Sequence, residues 1–204
     1  MPRSNQQLRT RKDLLLAASR LLKTGRKPTM DDVAEEALVS RATAYRYFPD
    51  IESLLVEAPL DESAPTPESV FSEVAVDDPL VRIDMAEEAL HGMTCRNEAQ
   101  LRLMLAYSLK PDDDTKKAKT GPAPRRQNRR TALIQEALRP VRGEMDDDTY
   151  GTLCAALAIV FGIESMVVFR DVLGMEADEA RAVKRWAIQT LVRAALAESG
   201  KNGR

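Results

Sequence analysis

The chain has 204 residues, of which 44% are apolar, 30% are charged and only 4% are aromatic, and its formal net charge at pH 7 is −2. This is the composition of an ordinary soluble protein with one large or two small domains and a substantial core. Leu, Ala, Glu and Arg are plentiful and no alternating run is long enough to predict a sheet, so the expected fold is all-α. The only histidine, His91, and the only cysteines, Cys95 and Cys154, form no Cys/His cluster, which excludes a zinc signature.

The charge is divided unevenly along the chain. Residues 1–50 carry 10 Lys and Arg against 6 Asp and Glu, whereas the other 154 residues carry 20 against 26. A basic N-terminal part on an acidic remainder orients the basic part towards DNA, although an asymmetry of this size also arises by chance. Residues 1–10 are polar and basic and predict no signal peptide, and two unmatched cysteines favour reduced thiols, so a cytoplasmic protein is expected.

The first helix is predicted over residues 6–24. From Leu14 onwards, apolar residues recur at i, i+1, i+4, i+7 and i+8, as on a helix face that meets a core, and Gly25 is a suitable stop. Four basic residues near the start of this helix could touch the DNA backbone or minor groove, or could simply be solvated: Arg3, Arg9, Arg11 and Lys12.

Two short helices joined by a tight turn are predicted over residues 29–48. Thr29 is a suitable N-cap, and Asp32 follows it at the spacing of a capping box. Ser40 caps the second helix, over residues 41–47, and Pro49 stops it. This is the layout of a helix-turn-helix, whose second helix enters the DNA major groove. The alternative is a small helical hairpin inside an all-α protein.

The second helix of this pair carries residue types that suit DNA. Arg41 follows the cap, and its guanidinium can donate two hydrogen bonds to O6 and N7 of a guanine. Hydroxyl groups are available for phosphate oxygens at Ser40, Thr43, Tyr45 and Tyr47. The expected DNA-binding residues are Thr29, Ser40, Arg41, Ala42, Thr43, Tyr45, Arg46 and Tyr47.

Residues 8–55 resemble the DNA-binding domain of the tetracycline-repressor (TetR) family of bacterial regulators. The matching pieces are Leu14-Leu15-x-Ala17-Ala18-x-x-Leu21-Leu22, Thr29-x-x-x-Val33-Ala34-x-x-Ala37-x-Val39-Ser40, Thr43-x-Tyr45-Arg46-Tyr47-Phe48-Pro49, Glu52 and Leu54-Leu55. The resemblance implies a three-helix helix-turn-helix domain, here residues 1–57. It also implies a helical ligand-binding and dimerisation domain, here residues 58–204.

Three departures from the family pattern affect the expected DNA contacts. Leu38 stands where the family usually has Gly in the turn, so the turn should be strained or differently shaped. Ala42 and Ala44 replace the Gly and Leu that often flank the threonine. Ile51 replaces a Lys that meets a phosphate in the family, so one backbone contact could be absent.

The rest of the chain predicts more helices separated by short loops. Asp50 should cap a fourth helix that Pro59 stops, followed by a linker over residues 60–67 and a short helical piece over 69–75. Residues 112–124 are charged and contain Gly and Pro, which predicts a mobile loop. The remaining helices are expected at 79–93, 97–109, 125–139, 146–173 and 177–198, with 146–173 the longest.

Residues 150–169 are nearly all apolar. A membrane span is one alternative, but Gly, Thr, Ser and Glu interrupt the run and no basic flanks bracket it. A helix that is apolar all round needs a partner, and a second copy of the chain is the simplest one. The TetR resemblance implies the same, because that family pairs its last two long helices in a four-helix bundle. The expected interface residues are Leu153, Ala156, Leu157, Val160, Val183, Trp186, Ala187 and Leu191.

Methionine and aromatic residues are scattered over the predicted helices of the second domain. Such side chains can line an apolar cavity with a few polar anchors, although ordinary core packing is the alternative for each. No nucleotide-binding loop is present, the lone His91 has no visible catalytic partner, and the Asp runs lack the pattern of a calcium loop. Neither an enzyme nor a cofactor or metal is therefore expected. The expected pocket residues are Met85, His91, Met104, Tyr107, Phe161, Met166 and Trp186.

The expected function is that of a homodimeric transcriptional regulator, a repressor released from a palindromic operator by a small apolar or amphipathic effector. Effector binding would change the spacing of the two DNA-binding domains, so that they no longer fit successive major grooves. Two alternatives remain. One is a protein-interaction or co-regulator module with weakened operator binding, which Leu38 and Ile51 favour. The other is a helical enzyme that uses a cavity in the second domain.

Overall fold

The structure, a computed structural model, describes residues 2–25, 27–73, 75–109 and 128–202. Every regular element in these ranges is helical, which confirms the all-α fold. The described chain divides into two compact units. The head unit consists of the described parts of Met1–Ala64 and Asn97–Gln127, and the body unit of those of Pro65–Arg96 and Asn128–Arg204.

The head unit contains the first four helices and one later helix. Helix α1 packs against α2 and α4, α2 packs against α3, and α7 packs against α4. The expected boundary between residues 57 and 58 falls inside α4, and α7, expected in the second domain, packs within the head unit. The helices are α1 (Pro2–Lys23), α2 (Met30–Glu36), α3 (Arg41–Tyr47), α4 (Ile51–Glu62) and α7 (Glu98–Ser108).

Helix α4 continues through Pro59, where the sequence predicted that it would stop. A proline inside a helix removes one backbone donor and crowds the preceding turn, so contacts beyond it must hold the last turn. Leu60 is fully buried, Glu62 accepts a 2.6 Å hydrogen bond from Ser19 of α1, and Glu62 also pairs with Lys23. Because of these contacts, the expected linker over residues 60–67 shrinks to the few residues between α4 and α5.

The turn between α2 and α3 closes around Leu38. The amide of Leu38 donates to the carbonyl of Glu35, and the amide of Val39 donates to that of Ala34. These two bonds form a Schellman motif, whose first residue past the helix adopts a left-handed conformation and is usually glycine. Leu38 has a φ of 55° and is 93% exposed. The strain expected in this turn is therefore confined to the left-handed backbone of Leu38, whose side chain is in solvent.

The body unit is built from the remaining helices. Helix α6 packs against α8 and α11, and α9 packs against α8 and α11, so the core lies among these four. The elements are α5 (Pro67–Phe71), α6 (Pro79–Arg96), α8 (Arg130–Ala137), a 3₁₀ turn (Arg139–Glu144), α9 (Asp147–Val160), α10 (Ile163–Val167), a π-helical turn (Val168–Val172) and α11 (Ala177–Asn202).

The prediction of one long helix over residues 146–173 is wrong, because the helix ends after α9. Gly162 has a φ of 104°, which ends the helix, and α9 and the following helical segment meet at a bend of 49°. Arg130 fills the break: its Nη1 donates to the carbonyl of Ala158 at 2.7 Å and its Nη2 to the Glu164 carboxylate at 2.9 Å. The longest helix of the body unit is instead α11.

Two expectations of the sequence lie partly or wholly outside the described residues. The loop over 112–124 is outside them, and the helix expected over 125–139 is described only from residue 128, with α8 starting at Arg130. Among the described residues, no single helix is long and apolar enough to cross a membrane. The bent pair Asp147–Val160 and Ile163–Val172 meets that test by length and composition when taken together.

Candidate nucleic-acid interface

The candidate interface is the exposed side of the helix-turn-helix. The capping box predicted at Thr29 is present, with the Thr29 amide donating to Asp32 Oδ2 at 2.7 Å and the Asp32 amide donating to Thr29 Oγ1 at 3.2 Å. The predicted cap of α3 is also present, since Ser40 Oγ accepts from the Thr43 amide at 3.1 Å. Local side-chain chemistry therefore fixes where both helices begin.

Helix α3 has one face in the head core and the other in solvent. Ala44 is buried on the inner side, whereas Arg41, Ala42, Tyr45 and Arg46 are exposed. Thr29 and Ser40, both cap residues, are also exposed, and Thr43 is half-buried. Seven of the eight expected DNA-binding residues thus keep some or most of their surface on the solvent side of the helix-turn-helix. Their contact with DNA remains a prediction.

Tyr47 is the eighth residue, and the structure places it differently. It is buried in the head core at the last turn of α3, so it offers little surface to a phosphate. Its carbonyl accepts a 2.9 Å hydrogen bond from Nη1 of Arg11. Tyr47 therefore packs α3 against the head core and does not offer its hydroxyl to a phosphate as expected.

Arg11 is the basic residue of α1 that the sequence analysis misplaced. It is buried rather than available to DNA: its Nη2 lies 2.6 Å from Oε2 of the buried Glu57 of α4, and its guanidinium stacks 4.1 Å from the ring centroid of Phe48. A signal for this was present, because Arg11 lies three and four residues before Leu14 and Leu15 on the same helix face. The Arg11–Glu57 pair joins α1, the end of α3 and α4.

The guanidinium of Arg41 is held on two sides. Its Nε lies 3.0 Å from Oδ1 of Asp31 in α2, and its Cζ lies 5.5 Å from the ring centroid of Tyr45 in α3. The Arg41 and Asp31 side chains are 66% and 60% exposed, so this ion pair is at the surface. The sequence analysis identified Arg41 but missed Asp31, because their approach depends on the angle between two helices.

The surface of the head unit has fewer uncompensated cations than its charge count suggests. Arg20 pairs with Glu36 at 2.7 Å. Lys27 pairs with Glu52 at 3.4 Å. At the position of the missing family lysine, Ile51 is half-buried and packs against the head core. An apolar contact therefore occupies the place of a phosphate-binding cation.

The helix-turn-helix also matches a known family. Residues 14–58 match the family model described as bacterial regulatory proteins, tetR family. The chain carries a TetR-family DNA-binding domain. The matched segment begins within α1, ends within α4 and includes all of α2 and α3, as the resemblance had indicated. No curated protein and no solved structure was found to match the chain.

A TetR-family DNA-binding domain implies a DNA-binding transcriptional regulator. The matched residues bear on the head unit, because the body unit begins at Pro65, beyond the end of the match. Proteins of the tetR family are regulators rather than enzymes.

The residues expected to form a ligand pocket do not share one environment. Phe161 is fully buried in the body core, whereas Trp186 is 69% exposed and so lines no enclosed cavity. Met104 and Tyr107 lie on α7 in the head unit. The half-buried members that lie in the body unit are Met85, His91 and Met166.

His91 lies in a row of polar side chains between α6 and α11. Its Nδ1 is 3.9 Å from Glu87 Oε1, which also pairs with Lys184 of α11 at 2.7 Å, and its Nε2 is 3.4 Å from the Cys95 sulfur. Burial lowers the pKa of His91, and the positive charge of Lys184 lowers it further, against the opposing effect of Glu87. The imidazole is therefore held towards its neutral form.

Two of the residues expected at the dimer interface lie in the core instead. Leu153 and Leu157 of α9 are buried in the body core and are not available to a second chain. Beyond its first turn, the exposed positions of α9 are instead Gly151, Thr152, Ala155 and Ile159. The other expected members are exposed or half-buried, namely Ala156, Val160, Val183, Trp186, Ala187 and Leu191.

Proposed function

We propose that the protein is a homodimeric repressor that acts in the cytoplasm and leaves a palindromic operator when a small apolar or amphipathic effector binds. The observation that carries the proposal is the exposed face of α3, with Arg41 and Arg46 in solvent and Ala44 in the core. In this family of motifs the second helix lies in the major groove, and two copies bind half-sites about one helical turn apart.

Base reading is assigned to Arg41 and backbone contacts to its neighbours. A guanidinium that donates two hydrogen bonds to one guanine discriminates that base by about 1–3 kcal/mol. Arg41→Ala should therefore lower operator affinity by that amount per half-site and relax the preference at one base pair. Thr43→Ala and Tyr45→Phe should weaken all sequences about equally, because phosphate contacts position the protein without specifying a base.

The test is selection of bound sequences from random duplex DNA, followed by affinities of the wild type and these variants on the selected site at several salt concentrations. A DNA-binding regulator loses affinity steeply as salt increases, since each phosphate contact releases counterions. A protein-interaction module with a weakened helix-turn-helix, which the apolar Ile51 would favour, should select no sequence. If Arg41→Ala lowered affinity equally for every sequence, Arg41 would not be the residue that reads a base.

Dimerisation is proposed through an apolar face formed by α9 and α11. Ile159 is 74% exposed and Trp186 is 69% exposed, and α9 and α11 pack against each other within the body unit. Large exposed apolar residues on adjacent helices are typical of a protein interface. A stable homodimer would bury more than about 1,000 Å² in total.

Light scattering at micromolar concentration tests this interface. Ile159→Glu and Trp186→Glu should give monomers and lose operator binding together, because one α3 cannot bind two half-sites. Val81→Glu is the control, since Val81 is also an exposed apolar residue of the body unit, with 43% of its surface exposed, but lies on α6. A wild-type monomer, or dimers of both glutamate variants, would exclude this surface.

The proposed effector site lies in the body unit. Met85, His91 and Met166 are half-buried residues of the body unit that could contact a small apolar molecule with one polar group. A coupling free energy of about 1–3 kcal/mol corresponds to a change of about 5–150-fold in operator affinity. By reciprocity, operator DNA should weaken effector binding by the same factor. A compound that binds the body unit without changing operator affinity would not be the effector.

A further inference from the structure

The ion pair between Arg41 and Asp31 joins the two helices of the helix-turn-helix at its exposed side. We propose that Asp31 is a specificity-determining residue, which orients Arg41 for a guanine and reduces its attraction to phosphates. The inference rests on the proposed function, in which Arg41 reads a base. Asp31 is not among the residues that carry the resemblance to the TetR family.

The geometry of the pair leaves one edge of the guanidinium available. Oδ1 of Asp31 lies 3.0 Å from Nε of Arg41, which is the nitrogen nearest the main chain. The edge formed by Nη1 and Nη2 can donate two parallel hydrogen bonds, which matches O6 and N7 of guanine. Asp31 therefore occupies the side of the guanidinium that a guanine does not need.

The Tyr45 ring restricts the same side chain from a second direction. The Cζ atom of Arg41 is 5.5 Å from the ring centroid, within the range of a cation–π contact. A free arginine side chain has many rotamers, so fixing it before DNA binds reduces the entropy lost on binding. Asp31 and Tyr45 together hold Arg41 near one orientation.

Stability of the head unit does not explain the pair. Both side chains are mostly exposed, and ion pairs of this kind contribute little to folding. The contribution of Asp31 to DNA binding has two opposite parts. Its negative charge weakens the attraction of this region to phosphates in any sequence. Against a guanine, however, it presents Arg41 already oriented, so discrimination increases while general affinity decreases.

Glu35 provides a charge-matched control on the same helix. It lies four residues after Asp31, which places it one turn further along a similar face of α2, and it is exposed. Asp31→Asn and Glu35→Gln each remove one negative charge from this helix. Only the first removes the carboxylate beside Arg41.

The experiment measures affinity for the selected operator, for the four base pairs at the position that Arg41 reads, and for a scrambled duplex. Asp31→Asn should lower discrimination at that position by about threefold to tenfold, part of what a bidentate contact provides. It should also raise affinity for the scrambled duplex by about twofold to fivefold, because an acidic charge near phosphates is removed. Glu35→Gln should leave base discrimination unchanged. Asp31→Ser is the second variant that removes this carboxylate, and its melting curve checks that the head unit still folds.

The combination with Arg41→Ala shows whether Asp31 acts through Arg41. In the Arg41→Ala background, Asp31→Asn should not change base preference further. A wild-type base preference that Arg41→Ala abolishes but Asp31→Asn leaves intact would overturn the inference and keep the proposed function. The inference would also be overturned if Asp31→Asn lowered base discrimination as much in the Arg41→Ala background as it does in the wild type. A wild-type protein that selects no sequence would overturn both.

Discussion

Replacement of Leu38 by glycine should stabilise the head unit. Leu38 occupies the first position past α2 with a φ of 55°, where an L-residue with a Cβ is strained. Its side chain is 93% exposed, so removing it sacrifices almost no buried apolar surface. The backbone conformation is therefore the main quantity that the substitution changes in the folded state.

The magnitude follows from two opposing terms. A left-handed conformation is less favourable by about 1–2 kcal/mol for a residue other than glycine. Glycine also gains conformational freedom in the unfolded chain, which opposes the effect by about 0.4–1 kcal/mol. The expected net stabilisation is about 0.5–1 kcal/mol, or about 1–4 °C in the melting temperature of a chain of this size.

Thermal and urea unfolding of Leu38→Gly, Leu38→Ala and the wild type would measure this difference. Alanine shortens the side chain but keeps the Cβ, so it should leave the stability close to that of the wild type. Equal stabilisation by alanine and glycine would show that the leucine side chain, rather than the backbone, is the source of strain. A less stable glycine variant would show that this turn is not left-handed in solution.

Three other sets of substitutions test features described above. Arg11→Met should destabilise the head unit by about 3–5 kcal/mol, because it removes the cation beside the buried Glu57, and adding Glu57→Leu should recover much of this loss in urea titrations. Because the pKa of His91 is lowered from 6.5, the unfolded chain binds a proton at a higher pH than the folded chain does. The free energy of unfolding should thus decrease as the pH falls below about 6.5, and His91→Gln should reduce that decrease between about pH 7.5 and pH 5.5. Gly162→Ala should destabilise the body unit by about 1–3 kcal/mol, since φ is 104° and ψ is −165° and the new Cβ would lie 3.0 Å from Nη2 of Arg130. Gly151→Ala inside α9, where a new Cβ meets open space, should instead stabilise it by about 0.5–1 kcal/mol. Similar effects of both alanines on unfolding would contradict the role assigned to the Gly162 backbone.

The head unit was predictable from sequence where its structure depends on neighbouring residues. The Thr29–Asp32 capping box and the Ser40 cap are formed by side chains three residues from the amides they bind. Local chemistry of this kind can be recognised without knowledge of the rest of the fold. Strain at Leu38 was expected instead from the TetR resemblance, because that family usually has Gly at this position, and the φ of 55° at Leu38 agrees with it.

The errors arose where distant residues decide the local structure. Continuation of α4 through Pro59 depends on the contacts of Glu62 with α1, which sequence spacing does not reveal. The break at Gly162 depends on Arg130, 32 positions earlier in the numbering, which reaches the last turn of α9. In α9, apolar residues surround the helix, so the pattern lacks the polar side that would have shown which leucines face the core.

The Arg11–Glu57 pair also sets an order of events during synthesis. Arg11 is made long before Glu57, and it can enter the core only when the carboxylate that compensates its charge is present. While α4 is still inside the ribosome, the guanidinium of Arg11 therefore stays hydrated beside the apolar residues of α1. The recognition helix, although already translated, should close onto the core only after residue 57 emerges, so a nascent chain is not expected to present a folded DNA-binding surface before α4 is complete.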